Sequence, residues 1–401
     1  MSEQESSSGS AETVATESNN WGTKKPNSGA GARPVHGSIN PAELRALGLR
    51  PEDVLDFSAS ISPIGPPAGV WESMRGVDLA TYPDPECLEL REAISRQVSA
   101  PGLQIQISRI QVGNGSTEIF HLIARTYLTG EGPSKAFLLT PTYGEYAGAC
   151  RLAGAEVISL DAARSDGFRW DIEAAGRRIE AERPNVVVLC NPNTPTGVYL
   201  GKAEVESLAD AAARAESLFV LDEAYVSFVP DPWDSPSLLE RANVALVRSM
   251  TKDYALTGLR LGYALAGQDV VATLRAFQPD WSVNSLAQQA GITALADAEY
   301  LPRAREAVFQ AKDFLCQQLG SLGLHVVPSE ANFLLVDVGD AAAWRSQFLS
   351  RGIVVRDCAS FGLPEYVRIG IRLLPDCQRL AEAMEQLVRL PGLAPPTGPK
   401  T

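Results

Sequence analysis

An α/β fold built on a mostly parallel sheet, with a smaller α+β domain beside it, is the class this chain predicts, and three observations predict it. Short apolar runs alternate with longer amphipathic stretches between residues 80 and 270, and the rhythm changes after residue 270. The 401 residues are 45% hydrophobic and 21% charged, with 33 Gly and 27 Pro, a globular composition with enough chain for two domains or one large one.

Residues 1–34 are mostly Ser, Glu, Gly, Asn, Thr and Ala, with Trp21 as their large apolar side chain. They offer too little burial to offset the entropy of ordering and predict a disordered tail. Residues 35–75, which include SISPIGPP, are expected to pack with the smaller domain. Residues 76–275 are expected to form the large domain, with strands at AFLLT (136–140), EVISL (156–160), NVVVLC (185–190), LFVLDE (218–223), VALVRS (244–249) and GYALAG (262–267). Helices between such strands are crossover connections that cover both faces, giving three layers. In residues 276–390, two helical patterns (285–298 and 302–322) lead into VVPSEANFLLVDV, a helix near 341–351, IVVRD, VRIGIR and a last amphipathic helix, the small domain. PGLAPPTGPKT (391–401) lacks any apolar period and predicts a second disordered end.

Charge and composition exclude several functions. With 35 basic and 48 acidic side chains the formal charge is −13, which repels a phosphate backbone and argues against general nucleic-acid or anionic-membrane binding. No apolar run approaches the roughly 20 residues that span a bilayer, and the N-terminus does not read as a secretory signal, so the cytoplasm is the expected compartment. The six cysteines (Cys87, Cys150, Cys190, Cys316, Cys358, Cys377) have no CxxC spacing and read as reduced packing residues. Three histidines, none a helical turn from another, leave little material for a metal site, and none is expected.

Ligands of an α/β sheet bind beyond the carboxyl ends of its strands, so the polar residues that follow each run are the candidates. After IQV comes GNGSTEIFHLIA, a Gly-rich turn opening a helix whose free N–H groups suit a phosphate. Asp222 follows LFVL, with Tyr225 three residues on; Lys252 follows VALVRS, and Arg260 lies in GLRLGY. One ligand needs an acid, a phenol, an amine and an anion cradle together: an aldehyde-bearing pyridine phosphate, which takes a lysine for its Schiff base and a carboxylate beside its ring nitrogen. Pyridoxal 5′-phosphate is therefore the expected cofactor.

The stretches YPDP (82–85), GNGSTE (113–118), PTYGEY (141–146), NPNTPTG (191–197), LDEAY (221–225), SMTKDYALTGLRLGY (249–263) and ANFLLV (331–336) resemble the class I/II aminotransferase superfamily of fold type I, over nearly all of residues 35–390. That resemblance implies that Lys252 bonds the cofactor and later shuttles the proton at Cα, that Asp222 pairs with the ring nitrogen and that Tyr225 donates to the phenolate oxygen. It implies that Tyr143 stacks on the ring. Ser249 and Arg260, with the N–H groups of Ser116 and Thr117, would hold the cofactor phosphate, and Tyr82 would reach it from a neighbouring subunit of a homodimer. Related proteins usually carry Asn directly before PTG where this chain has Thr194, which leaves the contact to the phenolate oxygen open between Thr194 and Asn193.

Two branches of that superfamily act on phosphorylated amino compounds, the histidinol-phosphate aminotransferases and the threonine-phosphate decarboxylases that serve cobalamin synthesis. His36-Gly37, LDFSASISP (55–63), WSVNSLAQ (281–288) and IVVRDCASFGLPEYVRIGIR (353–372) are more similar to the second. By that resemblance Arg368 grips the substrate α-carboxylate, while Arg356 and His36 meet its phosphate. Ser60 and Ser62 stand where decarboxylases tend to carry two substrate-binding asparagines. Decarboxylation is the expected reaction and transamination with 2-oxoglutarate the alternative, because the angle of the breaking Cα bond decides between them. A ligand-sensing regulator would need a DNA-binding segment that the chain does not offer, and GNGSTE does not match the GxGxxG of dinucleotide binding.

Overall fold

A computed structural model describes residues 37, 39–99, 102–130 and 132–393, and all of them belong to one compact unit. The expected tail at 1–34 lies outside the described residues, as do 394–401; Leu393 is buried, past the boundary expected at 390. The strands, in order, are β1 (Leu55–Asp56), β2 (Ile110–Asn114), β3 (Lys135–Thr140), β4 (Glu156–Asp161), β5 (Val186–Cys190), β6 (Leu218–Asp222), β7 (Val244–Ser249), β8 (Leu261–Ala266), β9 (His325–Val327), β10 (Phe333–Asp337), β11 (Ile353–Val354), β12 (Arg356–Cys358) and β13 (Leu363–Gly370).

Seven of them form one sheet in the order β2-β8-β7-β6-β5-β3-β4, parallel throughout except for β8. The central strands β5 and β6 are buried at every position, as parallel strands covered on both faces must be, whereas the edge strand β4 exposes Glu156, Ser159 and Asp161. Alternation divides the core. Ala136, Leu138, Val188 and Val220 pack with Phe120 and Ile123 of helix Gly115–Tyr127, while Phe137, Leu139, Val187 and Leu221 join the cluster that includes Ile179 and Leu208 of helices Ile172–Glu182 and Lys202–Arg214. Three layers result.

The second sheet is antiparallel, in the order β12-β13-β10-β9, and contacts helix Tyr300–Ser321. Helix Leu374–Leu387 packs along that helix. The N-terminal segment is tied to the same region, for β1 pairs in parallel with β11 and Arg345 forms a bidentate pair with Glu43 at 2.6 Å. All six cysteines are free thiols, five of them buried. Among the described residues no helix is long and apolar enough to cross a membrane.

Candidate active site

The sheet delivers its chemistry to one edge. Strands β2, β3, β5, β6 and β7 end there at Asn114, Thr140, Cys190, Asp222 and Ser249, and because β8 runs the opposite way, Arg260 arrives at the same edge just before its first residue. Gly262 sits opposite Ser249 and is adjacent in register to the Asn114–Leu261 pair.

Asp222 is the acid of this edge. Its Oδ1 accepts from the Ala224 N–H at 2.9 Å and its Oδ2 accepts from the Tyr146 hydroxyl. Burial raises its pKa to about 6, and both hydrogen bonds and the charge of Lys252 oppose that rise. Tyr146 is fully buried, edge-on to Phe120 at 4.8 Å and to Tyr143 at 5.4 Å, and its ring alone gives the sequence no reason to single it out. Its spacing from Tyr143 is the available signal: Tyr143 is the N-cap of helix Gly144–Leu152 and Tyr146 lies in its first turn, three residues on.

Lys252 lies on the short helix Met250–Asp253 that follows β7. Burial lowers its pKa to about 8, assisted by the charges of Arg368 and Arg260 and opposed by Asp222. A large fraction of this amine is therefore neutral, and nucleophilic, near pH 8. Tyr225 is buried against Phe333, with ring centroids 5.0 Å apart; burial raises its pKa and Arg368 opposes the rise. Burial also pushes Tyr143 up to about 12, and Thr117 hydrogen-bonds its phenol. The structure thus brings together Asp222, Lys252, Tyr225, Tyr143, Thr117, Arg260 and Arg368.

The turn into helix Gly115–Tyr127 forms a cradle. Gly115 has φ +74°, and a Cβ there would stand 2.6 Å from Arg260 Nη2; a Cβ on Gly262 would stand 2.4 Å from the Ser116 nitrogen. Only glycine lets the guanidinium and the helix start approach so closely. The first-turn N–H groups of Ser116 and Thr117 have no intrahelical partner, which suits an anion. Ser249 Oγ lies 2.6 Å from Thr251 Oγ1 at the same edge.

The loop after β5 resolves the two candidates of NPNTPTG differently. Asn193 donates to Pro141 O and to Thr196 Oγ1, each at 2.9 Å, and accepts from Thr142 at 2.8 Å, so both its amide hydrogens are engaged inside the loop. Of the two residues between which the contact was left open, Asn193 has no amide hydrogen left over in this arrangement. Thr194 Oγ1 accepts from Arg368 Nη1 at 2.8 Å, and its own hydrogen remains to be donated.

Arg368 also donates from Nη2 to Ser58 O at 2.9 Å, and a Cβ on Gly37 would stand 2.8 Å from the same Nη2. Arg356 is buried on β12 directly opposite Arg368, with Nη2 2.5 Å from Ser360 Oγ. The hydroxyl of Ser60 and the Nε of Arg368 are buried without partners. Ser62, expected beside Ser60 in substrate binding, is engaged with Tyr300 at 2.8 Å. Tyr82 is exposed and stacks on Trp281 at 4.5 Å. His36 lies outside the described residues.

A buried acid, a depressed lysine, two phenols, an anion cradle and unspent hydrogen-bonding atoms fit a flat heteroaromatic aldehyde with a phosphate arm. Comparison with known proteins agrees with that chemistry. Residues 52–386 match the family described as aminotransferase class I and II. The chain is 34% identical over 345 residues to a histidinol-phosphate aminotransferase of Symbiobacterium thermophilum, covering 85% of this chain and 92% of that protein. It is 32% identical over 371 residues to a threonine-phosphate decarboxylase of Salmonella typhimurium, covering 90% and 98%. Among solved structures it is similar to a histidinol-phosphate aminotransferase from Sinorhizobium meliloti in complex with pyridoxal 5′-phosphate, with TM-score 0.77 and 26% identity over 88% of this chain and 95% of that one. An aspartate aminotransferase from Thermus thermophilus with maleate gives TM-score 0.76 and 26% identity over 86% and 94%.

Proposed function

Because the chain belongs to the class I and II aminotransferase family and uses pyridoxal 5′-phosphate, we propose that it decarboxylates an O-phosphorylated amino acid. The in-register pairing of Arg356 with Arg368 carries this reading. Two buried guanidiniums share one face of a sheet, with Asp357 4.0 Å from Arg356, and a single substrate bearing a carboxylate and a phosphate suits the pair.

When bound, the cofactor supplies a conjugated sink for the electron pair left at the substrate's Cα. Lys252 would bond its aldehyde, and Asp222 would hold a proton at its ring nitrogen. Tyr225 and Thr194 would donate to its phenolate oxygen, Tyr143 would stack on the ring, and Ser249, Arg260 and the N–H groups of Ser116 and Thr117 would hold its phosphate. Arg368 takes the α-carboxylate, Arg356 the substrate phosphate, and the unpartnered hydroxyl of Ser60 a polar group between them. With the carboxylate held by Arg368, its loss from Cα as carbon dioxide would leave Lys252 as the group that returns a proton to Cα.

Transamination of histidinol phosphate is the second reading, favoured by the names of several relatives. The two carboxylates of glutamate suit the same pair of arginines, and Lys252 then removes the Cα hydrogen. Threonine phosphate supplied alone, then histidinol phosphate with 2-oxoglutarate, separates the two. Carbon dioxide from the first supports decarboxylation, glutamate from the second supports transamination, and neither product contradicts a phosphorylated substrate.

The active form is a homodimer in this reading. Trp71, Leu79 and Tyr82 are 65%, 77% and 76% exposed, a run of large apolar groups that a second copy would cover. From there Tyr82 would reach the neighbour's cofactor phosphate. A monomer that retains full activity in solution contradicts it.

A further inference from the structure

The backbone from Phe57 to Ser62 links two residues of the proposed site. At one end Phe57 O accepts from Gly370 N at 2.7 Å and Ser58 O accepts from Arg368 at 2.9 Å; at the other, Ser62 N donates to Lys252 O at 2.8 Å. This strap therefore joins the backbone of Lys252 to the guanidinium of Arg368.

Its far end is pinned from a distant part of the chain. Tyr300, fully buried at the start of helix Tyr300–Ser321, places its phenol oxygen 2.8 Å from Ser62 Oγ and 2.5 Å from Gly65 O. A carbonyl only accepts and a phenol has one hydrogen, so Tyr300 donates to Gly65 and Ser62 donates to Tyr300. Ser62 then has no hydrogen for a substrate, which leaves Ser60 as the strap's hydroxyl without a partner. The Tyr300 ring also stacks on Tyr254 at 5.4 Å and 19°, two residues beyond Lys252. One side chain thus touches both the strap and the segment that follows the lysine.

We propose that Tyr300 is a positioning residue, which acts through Ser62 to hold the strap between Lys252 and Arg368 and so fixes the spacing of amine and guanidinium. The inference rests on the roles of those two residues in the reading above. Its consequence is electrostatic. Arg368 follows burial among the causes that hold Lys252 below its ordinary pKa, with Arg260 acting in the same direction and Asp222 against it. In the loaded chain the same nitrogen would carry the proton of the Schiff base; a strap without its pin would let the Arg368 guanidinium move away from it, and the repulsion weakens with distance.

The test uses the full chain loaded with cofactor and no substrate, titrated through its visible absorbance in wild type, Tyr300→Phe, Ser62→Ala and the double variant, with Tm recorded for each. Tyr300→Phe, which loses the bonds to both Ser62 and Gly65, should raise the midpoint by about half a pH unit; Ser62→Ala should raise it by less, and the double should move it no further than Tyr300→Phe, because the Ser62 bond is already lost there. Midpoints at the wild-type value with a lowered Tm, or shifts that add in the double variant, would overturn the proposal. Ser62→Ala removes one surface-free hydroxyl and keeps the test open where Tyr300→Phe fails to fold. A visible band that persists in Lys252→Ala defeats both the site reading and this inference, whereas a normal band with unmoved midpoints defeats the inference alone.

Discussion

Arg356 on β12 and Arg368 on β13 occupy directly opposite positions of an antiparallel pair, both buried, on the face of the small sheet that meets the carboxyl edge of the large one. Residues so placed share a face, and like charges there destabilise the sheet. Burial and the charge of Arg368 lower the pKa of Arg356, and Asp357, 4.0 Å away, opposes them.

Inorganic phosphate should therefore raise the Tm of the wild-type chain and raise it far less in Arg356→Gln. With a phosphorylated amino acid as substrate, the same variant should raise KM about 10- to 100-fold, the loss of a charge-assisted hydrogen-bonding pair, and change kcat less. Equal phosphate effects on both proteins would place the phosphate elsewhere.

Asp222 supplies a pH dependence with a definite sign. Its pKa is raised from 3.8 to about 6 in the folded chain, so the folded state holds this proton more tightly than the unfolded state does. In the cofactor-free protein its contribution to stability is present at low pH and is lost as pH rises through that window. Thermal melts of the apoprotein should show this slope in wild type and a shallower one in Asp222→Asn. In the loaded enzyme, Asp222→Asn should lower kcat by about 100-fold or more, the size typical of losing a charge at a reacting centre. A variant with wild-type kcat would remove the acid from the mechanism.

Lys252 predicts how fast the apoprotein captures its cofactor. Its pKa near 8, lowered from 10.5, makes the neutral amine abundant from about pH 8 upward. Below that, the capture rate, followed as growth of the visible band, should fall about tenfold per pH unit. Above it the rate should level off. A rate still climbing toward pH 10 is the behaviour of an ordinary exposed lysine and would contradict the depressed value.

Gly115→Ala places a methyl group 2.6 Å from Arg260 Nη2 on a backbone with φ +74°. The strain and the displaced guanidinium should cost about 1 kcal/mol or more of stability and weaken cofactor retention on dialysis. Retention equal to wild type would mean that the phosphate does not lie in this cradle.

Much of this site was legible in the sequence because an α/β sheet collects residues by rule. Parallel runs were followed by the polar residue that the structure sets at the carboxyl edge, as with Asp222 after LFVL and Lys252 after VALVRS. The strand runs at 156–160, 185–190, 218–223 and 244–249 agree with β4, β5, β6 and β7 to within a residue at each end. The reversal of β8 was less visible, since a buried strand reads as the same apolar run in either direction.

What escaped the sequence depends on contacts between distant segments. Tyr146 reaches Asp222 across 76 positions and Tyr300 reaches Ser62 across 238, and no local period encodes either meeting. The engagement of Asn193 inside its own loop was likewise invisible, because its partners Pro141 and Thr142 come from the turn after β3.

The central claim is that the amine of Lys252 bonds the cofactor. Borohydride reduction of the loaded protein, followed by peptide mapping, measures it directly. The account predicts that the reduced pyridoxyl group is recovered on the peptide containing Lys252 and is lost in Lys252→Ala. Recovery on another lysine, or an undiminished adduct in that variant, would contradict it.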